Sequence, residues 1–306
     1  MYIRIILGAP RVDFIARVLD VHSMRTSPLL ILAVVGCATT PDTPHFDFVT
    51  DNYTLQPGEE KYFCYTDNLP DDRDIAITKL TPTYGNGTHH IAFAQTTVAE
   101  PRFAECPVLT RSTWLTMYGG GKDSGPLELP PNVGLMPLAR GQQVIMQLHL
   151  QNATDAPITA HAEMRVEYVD ASPEILHSGL WAMDNRKLDI PAKADSAVNE
   201  MSCVAGWDLN VFAILGHMHK HGVRLDLSRG AVAGAEMLYE ETWSFDTQPI
   251  APLAVKVNQG DKVFLRCTHS NQGATPLSYG ESSDTEMCAV ALYYAPAERP
   301  GGCVKL

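Results

Sequence analysis

The sequence predicts an all-β protein built of two antiparallel, jelly-roll-like β-sandwich domains. Short apolar runs recur between turn signals, and 21 Pro and 22 Gly are spread through the 306 residues, as many short strands require. No stretch carries the 3.6-residue spacing of a long amphipathic helix. Once Cys37 is set aside, Cys64 and Cys106 fall in the first half and Cys203, Cys267, Cys288 and Cys303 in the second. Between them the turn Asp170-Ala171-Ser172-Pro173 is the best boundary, so each half can close its own bridges.

The first segments are not read as fold. Met24-Arg25-Thr26-Ser27-Pro28 precedes the apolar run Leu29–Val35 and then Gly36-Cys37. A basic start, a short apolar core and a small residue before a cysteine resemble a bacterial lipoprotein signal, with Val34-Val35-Gly36-Cys37 as lipobox and Cys37 as the lipidated residue. The run is too short to span a bilayer as a mature helix. Residues 1–23 mix Arg4, Arg11, Asp13, Arg17 and Asp20 with apolar residues, which suits no signal, so translation is expected to start at Met24. Residues 1–36 are then leader and signal, and 37–45 a polar tether. Residues 46–171 form one domain and 172–306 the other. An exported chain, anchored at the cell envelope through Cys37, follows, with the outer membrane favoured by Ala38.

Along the first domain, strands are expected at Phe46–Val49, Lys61–Tyr65, Asp74–Thr81, Thr88–Gln95, Val144–Leu150 and Ala160–Val169. Gly119-Gly120-Gly121 and Pro130-Pro131-Asn132 are read as bracketing a long loop. In the second domain the strands fall at 180–190, 197–204, 210–227, 236–245, 252–257, 261–268 and 287–294. With 45% hydrophobic and 19% charged residues the chain is globular. A net charge of -12 without any Lys/Arg cluster excludes a nucleic-acid-binding surface. Six cysteines in an exported chain suggest three disulfides, and their spacing alone leaves the pairing open.

Chemistry-bearing residues lie in four places. Val211–Leu215 is an apolar strand run ending in Gly216-His217-Met218-His219-Lys220-His221. Residues i and i+2 of a strand share a face, so His217 and His219 make a natural pair of metal ligands. His89 and His90 follow Gly85-Asn86-Gly87. Neighbours in a regular strand point apart, so both serve one metal only at a strand end or bulge. His149 lies on another strand, with Gln147 on its face, and Glu286-Met287-Cys288 adds a thioether. Imidazoles suit copper and zinc alike, but a thioether favours Cu(I). His221 extends the alternation as a spare ligand or a supporting group. His161, His177 and His269 are taken as structural.

His-His, then Leu-His ahead of an Asn, then His-Met-His, then Glu-Met-Cys followed by Tyr293-Tyr294 is the motif order of the copper type II, ascorbate-dependent monooxygenases. The chain resembles that family, which includes peptidylglycine α-hydroxylating and dopamine β-monooxygenases, over about residues 46–303. The resemblance implies a copper site in each domain, two coppers per chain. His89, His90 and His149 would hold the electron-transfer copper. His217, His219 and Met287 would hold a distant copper that binds dioxygen, and so form the catalytic set. It implies the disulfides Cys64–Cys106, Cys203–Cys303 and Cys267–Cys288. The implied activity is hydroxylation of a C–H bond with dioxygen and ascorbate or an equivalent donor. Peptide-hydroxylating members place an Arg where this chain has Leu215, and an Asn and a Tyr where it has Ala289 and Ala291. A fairly apolar small molecule without a carboxylate is therefore the expected substrate. The competing expectation is a non-catalytic envelope protein that binds or stores copper.

Overall fold

The computed structural model describes residues 43–70, 72–107, 111–122, 124–135, 138–297 and 301–306. The leader, the lipobox, Cys37 and most of the tether lie outside these residues. The described residues are strands and turns with no helix, and almost every strand pairing is antiparallel. No described helix is long and apolar enough to cross a membrane.

Besides the two-stranded ribbon of Tyr53–Leu55 and Ile158–Ala160, two larger sheets arise from the first half. One runs His45–Val49, Ala162–Asp170, Ile75–Tyr84, Leu127–Glu128, and the other Phe103–Glu105, Glu60–Asn68, Gln143–Gln151, Thr88–Thr96, Trp114–Gly121. They share one apolar core containing Phe48, Ile77, Leu80, Phe93 and Met146. The second half supplies five strands of a six-stranded sheet, in the order Ile250–Val257, Leu209–His217, Ala289–Tyr294, Leu176–Asn185, Gly301–Lys305, and the first-half strand Val133–Leu135 is the sixth. A four-stranded sheet covers it: Ala194–Val204, Lys262–Asn271, Gly222–Arg229, Glu236–Thr242. Trp181, Met201, Leu225, Leu265 and Leu292 fill the core between these two sheets. Residues from Asp42 onward pack as one compact unit.

Gln143–Gln151 shows how the chain builds the site. Val144, Met146, Leu148 and Leu150 enter the core, so the alternate residues Ile145, Gln147 and His149 face the other way. All seven residues are nevertheless buried, because that second face is covered in turn. A polar residue on such a face must find a partner or carry a function.

Several expectations need correction. The stretch 210–227 is two strands, Leu209–His217 and Gly222–Arg229, divided by a turn. His219 therefore sits in the turn and not in a strand. Gly119, Gly120 and Gly121 do not bracket a loop; they end the strand Trp114–Gly121. Two pairings are parallel. Val133–Leu135 joins Leu176–Ser178, bringing a first-half segment onto a second-half sheet, and Gly301–Lys305 joins Trp181–Asn185.

Cys64–Cys106, Cys203–Cys303 and Cys267–Cys288 are bonded, the three pairs that the family resemblance implies. Such bonds belong to an oxidising, extracytoplasmic compartment. The last closes a short loop, with a sequence separation of 21, and fixes the residue next to Met287. Replacing Cys267 and Cys288 together by Ala should lower unfolding free energy by about 3 kcal/mol. Denaturant titration of the oxidised proteins checks this, and an unchanged midpoint would show that the bond is not a structural constraint.

Candidate metal centre

On the five-stranded sheet, His149 pairs across the strands with His90 on one side and Tyr62 on the other. The register slips between His149 and Leu150, where Leu150 is opposite Thr88 and His89 is the extra residue. This is the β-bulge that the adjacent histidines demand, and it turns His89 toward its neighbours. Ring centroids lie 4.8 Å apart for His90 and His149, 5.0 Å for His89 and His149, and 6.1 Å for His89 and His90. Tyr62 stacks on His149 at 4.3 Å, and Phe245 packs on His89 at 4.1 Å.

Each ring in this group is held by a polar neighbour or left with a buried free nitrogen. His149 Nε2 is 2.6 Å from Glu60 Oε1, which also accepts hydroxyl hydrogen bonds from Tyr62 and Ser283, each 3.1 Å. The hydrogen bond from His149 holds the Glu60 carboxyl down at about 2. His90 Nε2 is 3.2 Å from Gln147 Oε1. His89 Nε2 is buried without a partner.

The second group forms where Leu209–His217 ends. The rings of His217 and His219 are 5.3 Å apart and perpendicular, so the turn brings them together as strand alternation would have done. His217 Nδ1 is 2.9 Å from Gln248 Oε1, and His219 Nδ1 is 2.9 Å from the Thr285 carbonyl. An acceptor on one ring nitrogen leaves the other with its lone pair, the form a metal ligand takes. His217 Nε2 is indeed buried and unpartnered. Met287, 4% exposed, borders a void of about 10 Å³ with His90, Gln147, His217 and His219.

Glu286 ties this group together. Fully buried, it accepts backbone N–H groups from His219 at 3.0 Å, His221 at 2.7 Å and Met287 at 3.3 Å. Burial raises its carboxyl to about 7 against the pull of those amides. His221 thus contributes its amide here, while its ring nitrogen meets the Ser270 carbonyl. Sequence reading missed Glu60, Gln248 and the role of Glu286. Glu60, Tyr62 and Cys64 alternate on one strand face and could have been found by that spacing; Gln248 lies in a loop and carries no such signal.

The two ligand sets are not far apart in this conformation: His90 and His217 are edge to face at 6.4 Å. Among the described residues no three His, Cys, Asp or Glu side chains converge tightly enough to hold an ion as they stand. The donor set nevertheless fits a soft metal. One orphaned imidazole nitrogen lies in each group, and a thioether stands beside the second.

Burial also governs the charge of this cluster. It lowers His89 to about 4 and His219 to about 3, and depresses His90 and His217 as well. Histidines neutral in the fold but protonated when unfolded contribute stability above about pH 6.5, lost as pH falls through the folded values. Glu286 has the opposite sign: its contribution is lost as pH rises from about 4.5 toward 7. The histidines outnumber it, so the copper-free protein should lose stability from pH 6.5 downward, most steeply below 4.5. Denaturant midpoints across that range check the slope; a flat profile would contradict neutral, buried imidazoles.

Residues 174–305 match the family model described as the copper type II ascorbate-dependent monooxygenase, C-terminal domain. The human DBH-like monooxygenase protein 2 is 22% identical over 298 residues, covering 86% of this chain. The chain spans 59% of that relative's length. Among solved structures, PNGase F, a glycosylasparaginase from Flavobacterium meningosepticum, aligns with a TM-score of 0.40 and 8% identity, over 84% of this chain and 97% of its own. The VP2 subviral particle of infectious bursal disease virus aligns at 0.22 with 12% identity, over 85% and 75%. Both likenesses are too low to carry function. With the ligand motifs in order and residues 174–305 matching that family's C-terminal domain, the chain is similar to the copper type II, ascorbate-dependent monooxygenases.

Proposed function

We propose that this protein is an exported copper monooxygenase that hydroxylates a C–H bond of a small, apolar molecule, using dioxygen and ascorbate or an equivalent donor. The observation that carries the reading is the junction of both ligand groups with an apolar cavity of about 420 Å³, bordered by His90, His217, Met287, Leu215, Ala289 and Ala291. A protein that only stores or carries copper needs no such cavity. In this reading 46–171 and 172–306 act as two sandwich domains with a copper site in each. His89, His90 and His149 would hold one copper, and His217, His219 and Met287 the other. The Cys37 anchor rests on the sequence around the lipobox.

When bound, copper supplies the one-electron steps and dioxygen activation that an unactivated C–H bond requires. The chain's own residues prepare for this. Gln248 and the Thr285 carbonyl fix the tautomers of His217 and His219, while Glu60 and Gln147 orient His149 and His90. Glu286 and the Cys267–Cys288 bridge hold the flexible thioether in register with the two imidazoles. Leu215, Ala289 and Ala291 present no cation to a substrate, and Arg186, which borders the cavity, is already paired with Asp184, so a carboxylate gains little there.

Met287→Ala should lower ascorbate- and substrate-dependent oxygen uptake of the copper-loaded protein by at least about 100-fold while the protein remains folded by circular dichroism. An oxygen electrode checks it. Uptake equal to that of the parent, or none in either protein, would remove the monooxygenase reading and leave copper binding.

A further inference from the structure

The cavity has a direction. Its floor is the exposed face of the six-stranded sheet, and strand register arranges that floor in rows. His217, Ala289 and Asp184 form the first row, Leu215, Ala291 and Ala182 the second, and Ala213, Tyr293 and Leu180 the third. The middle of the floor is shallow-lined because Ala289, Ala291 and Ala182 carry only a methyl group. Two positions beyond Leu180, on the same face, lies Ser178. From Asp184 to Ser178 the strand advances about 20 Å at about 3.3 Å per residue. The floor is therefore about twice as long as the roughly 10 Å that its three strands span.

Its two ends differ chemically. Asp184, Arg186 and Glu281, the charged residues that border it, gather at the His217 end. There Arg186 donates to Asp184 at 2.6 Å. At the other end Ser178 is 1% exposed and its hydroxyl has no partner among the described residues. Leu135 pairs with it across the strands, Leu180 lies two positions away on its face, and both border the cavity. A buried hydroxyl left unpaired carries a standing cost, and a ligand that completes its hydrogen bond removes that cost.

We propose that the cavity binds an elongated apolar molecule that carries one uncharged hydroxyl or carbonyl group, with that group on Ser178 and the opposite, hydrocarbon end at His217 and Met287. The proposal rests on the cavity being the substrate site. An ionised end is disfavoured at Ser178, because a single hydroxyl does not offset the burial of a charge.

Copper-free protein is titrated with decanol, decanoate and decane, read by tryptophan fluorescence, since Trp114 borders the cavity. Decanol should bind, and decanoate at least about ten-fold more weakly. Ser178→Ala should weaken decanol about five-fold, leave decane unchanged, and keep the fold at least as stable. Ala291→Phe should block decanol and decane alike, and Ala182→Leu, at an exposed floor position, does the same if the first variant fails to fold. Decanoate binding as tightly as decanol, Ser178→Ala without effect on decanol, or no binding of any probe to folded protein would each overturn the proposal. Because copper is absent from this assay, failed oxygen uptake with intact decanol binding removes the oxygenase reading alone. Intact uptake with no decanol binding removes only this one.

Discussion

The Glu286 carboxylate, fully buried, accepts amide hydrogens from His219, His221 and Met287, and so clamps a turn to the segment that leads into the strand Ala289–Tyr294, far away in sequence. Without it two amides of the segment between Leu209–His217 and Gly222–Arg229, and that of Met287, would be left unpaired in an apolar interior, each costing about 1–3 kcal/mol. The clamp also explains how a thioether on a flexible side chain can be held beside two imidazoles. Its backbone is fixed on one side by Glu286 and on the other by the disulfide at Cys288. The trade is a carboxyl whose burial favours protonation near neutrality, a cost tolerated because three donors converge on it.

A second constraint brings the two halves to one site. The strand Trp114–Gly121 ends in glycines, and a Cβ on Gly119 would lie 3.1 Å from Leu215 Cδ2, one on Gly121 3.0 Å from Gln248 Cγ. Side chains there would push the second half away from the first. The segment that enters this space is the one that supports both ligand groups. Phe245 packs on His89, Gln248 holds His217, and the Ser124 hydroxyl bonds the Gln248 carbonyl. On the other flank Ser283 reaches Glu60, the partner of His149. The closeness of His90 and His217 follows from these contacts and from no single residue.

The ligand residues were legible because strand geometry makes spacing meaningful. The glycine turn before His89 and His90 forecast a bulge, and the register slip at His149 is that bulge. The all-β class was equally plain from the short apolar runs. What could not be read was mostly non-local. Gln248 and Ser283 act across the seam between halves, and nothing in their own neighbourhoods announces it. Gly119–Gly121 looked like a loop because three glycines weaken any strand; the need for close backbone approach, invisible in one dimension, overrode that propensity. The run 210–227 looked continuous because its turn is made of histidines and lysine, while the side chain that stabilises it, Glu286, lies far along the chain.

The most direct test of the account is copper content together with X-ray absorption on the Cu(I) form of the purified protein. Two coppers per chain, with a sulfur scatterer that vanishes in Met287→Ala, is the result the account predicts. One copper or none, with nitrogen scatterers alone in both proteins, would contradict it.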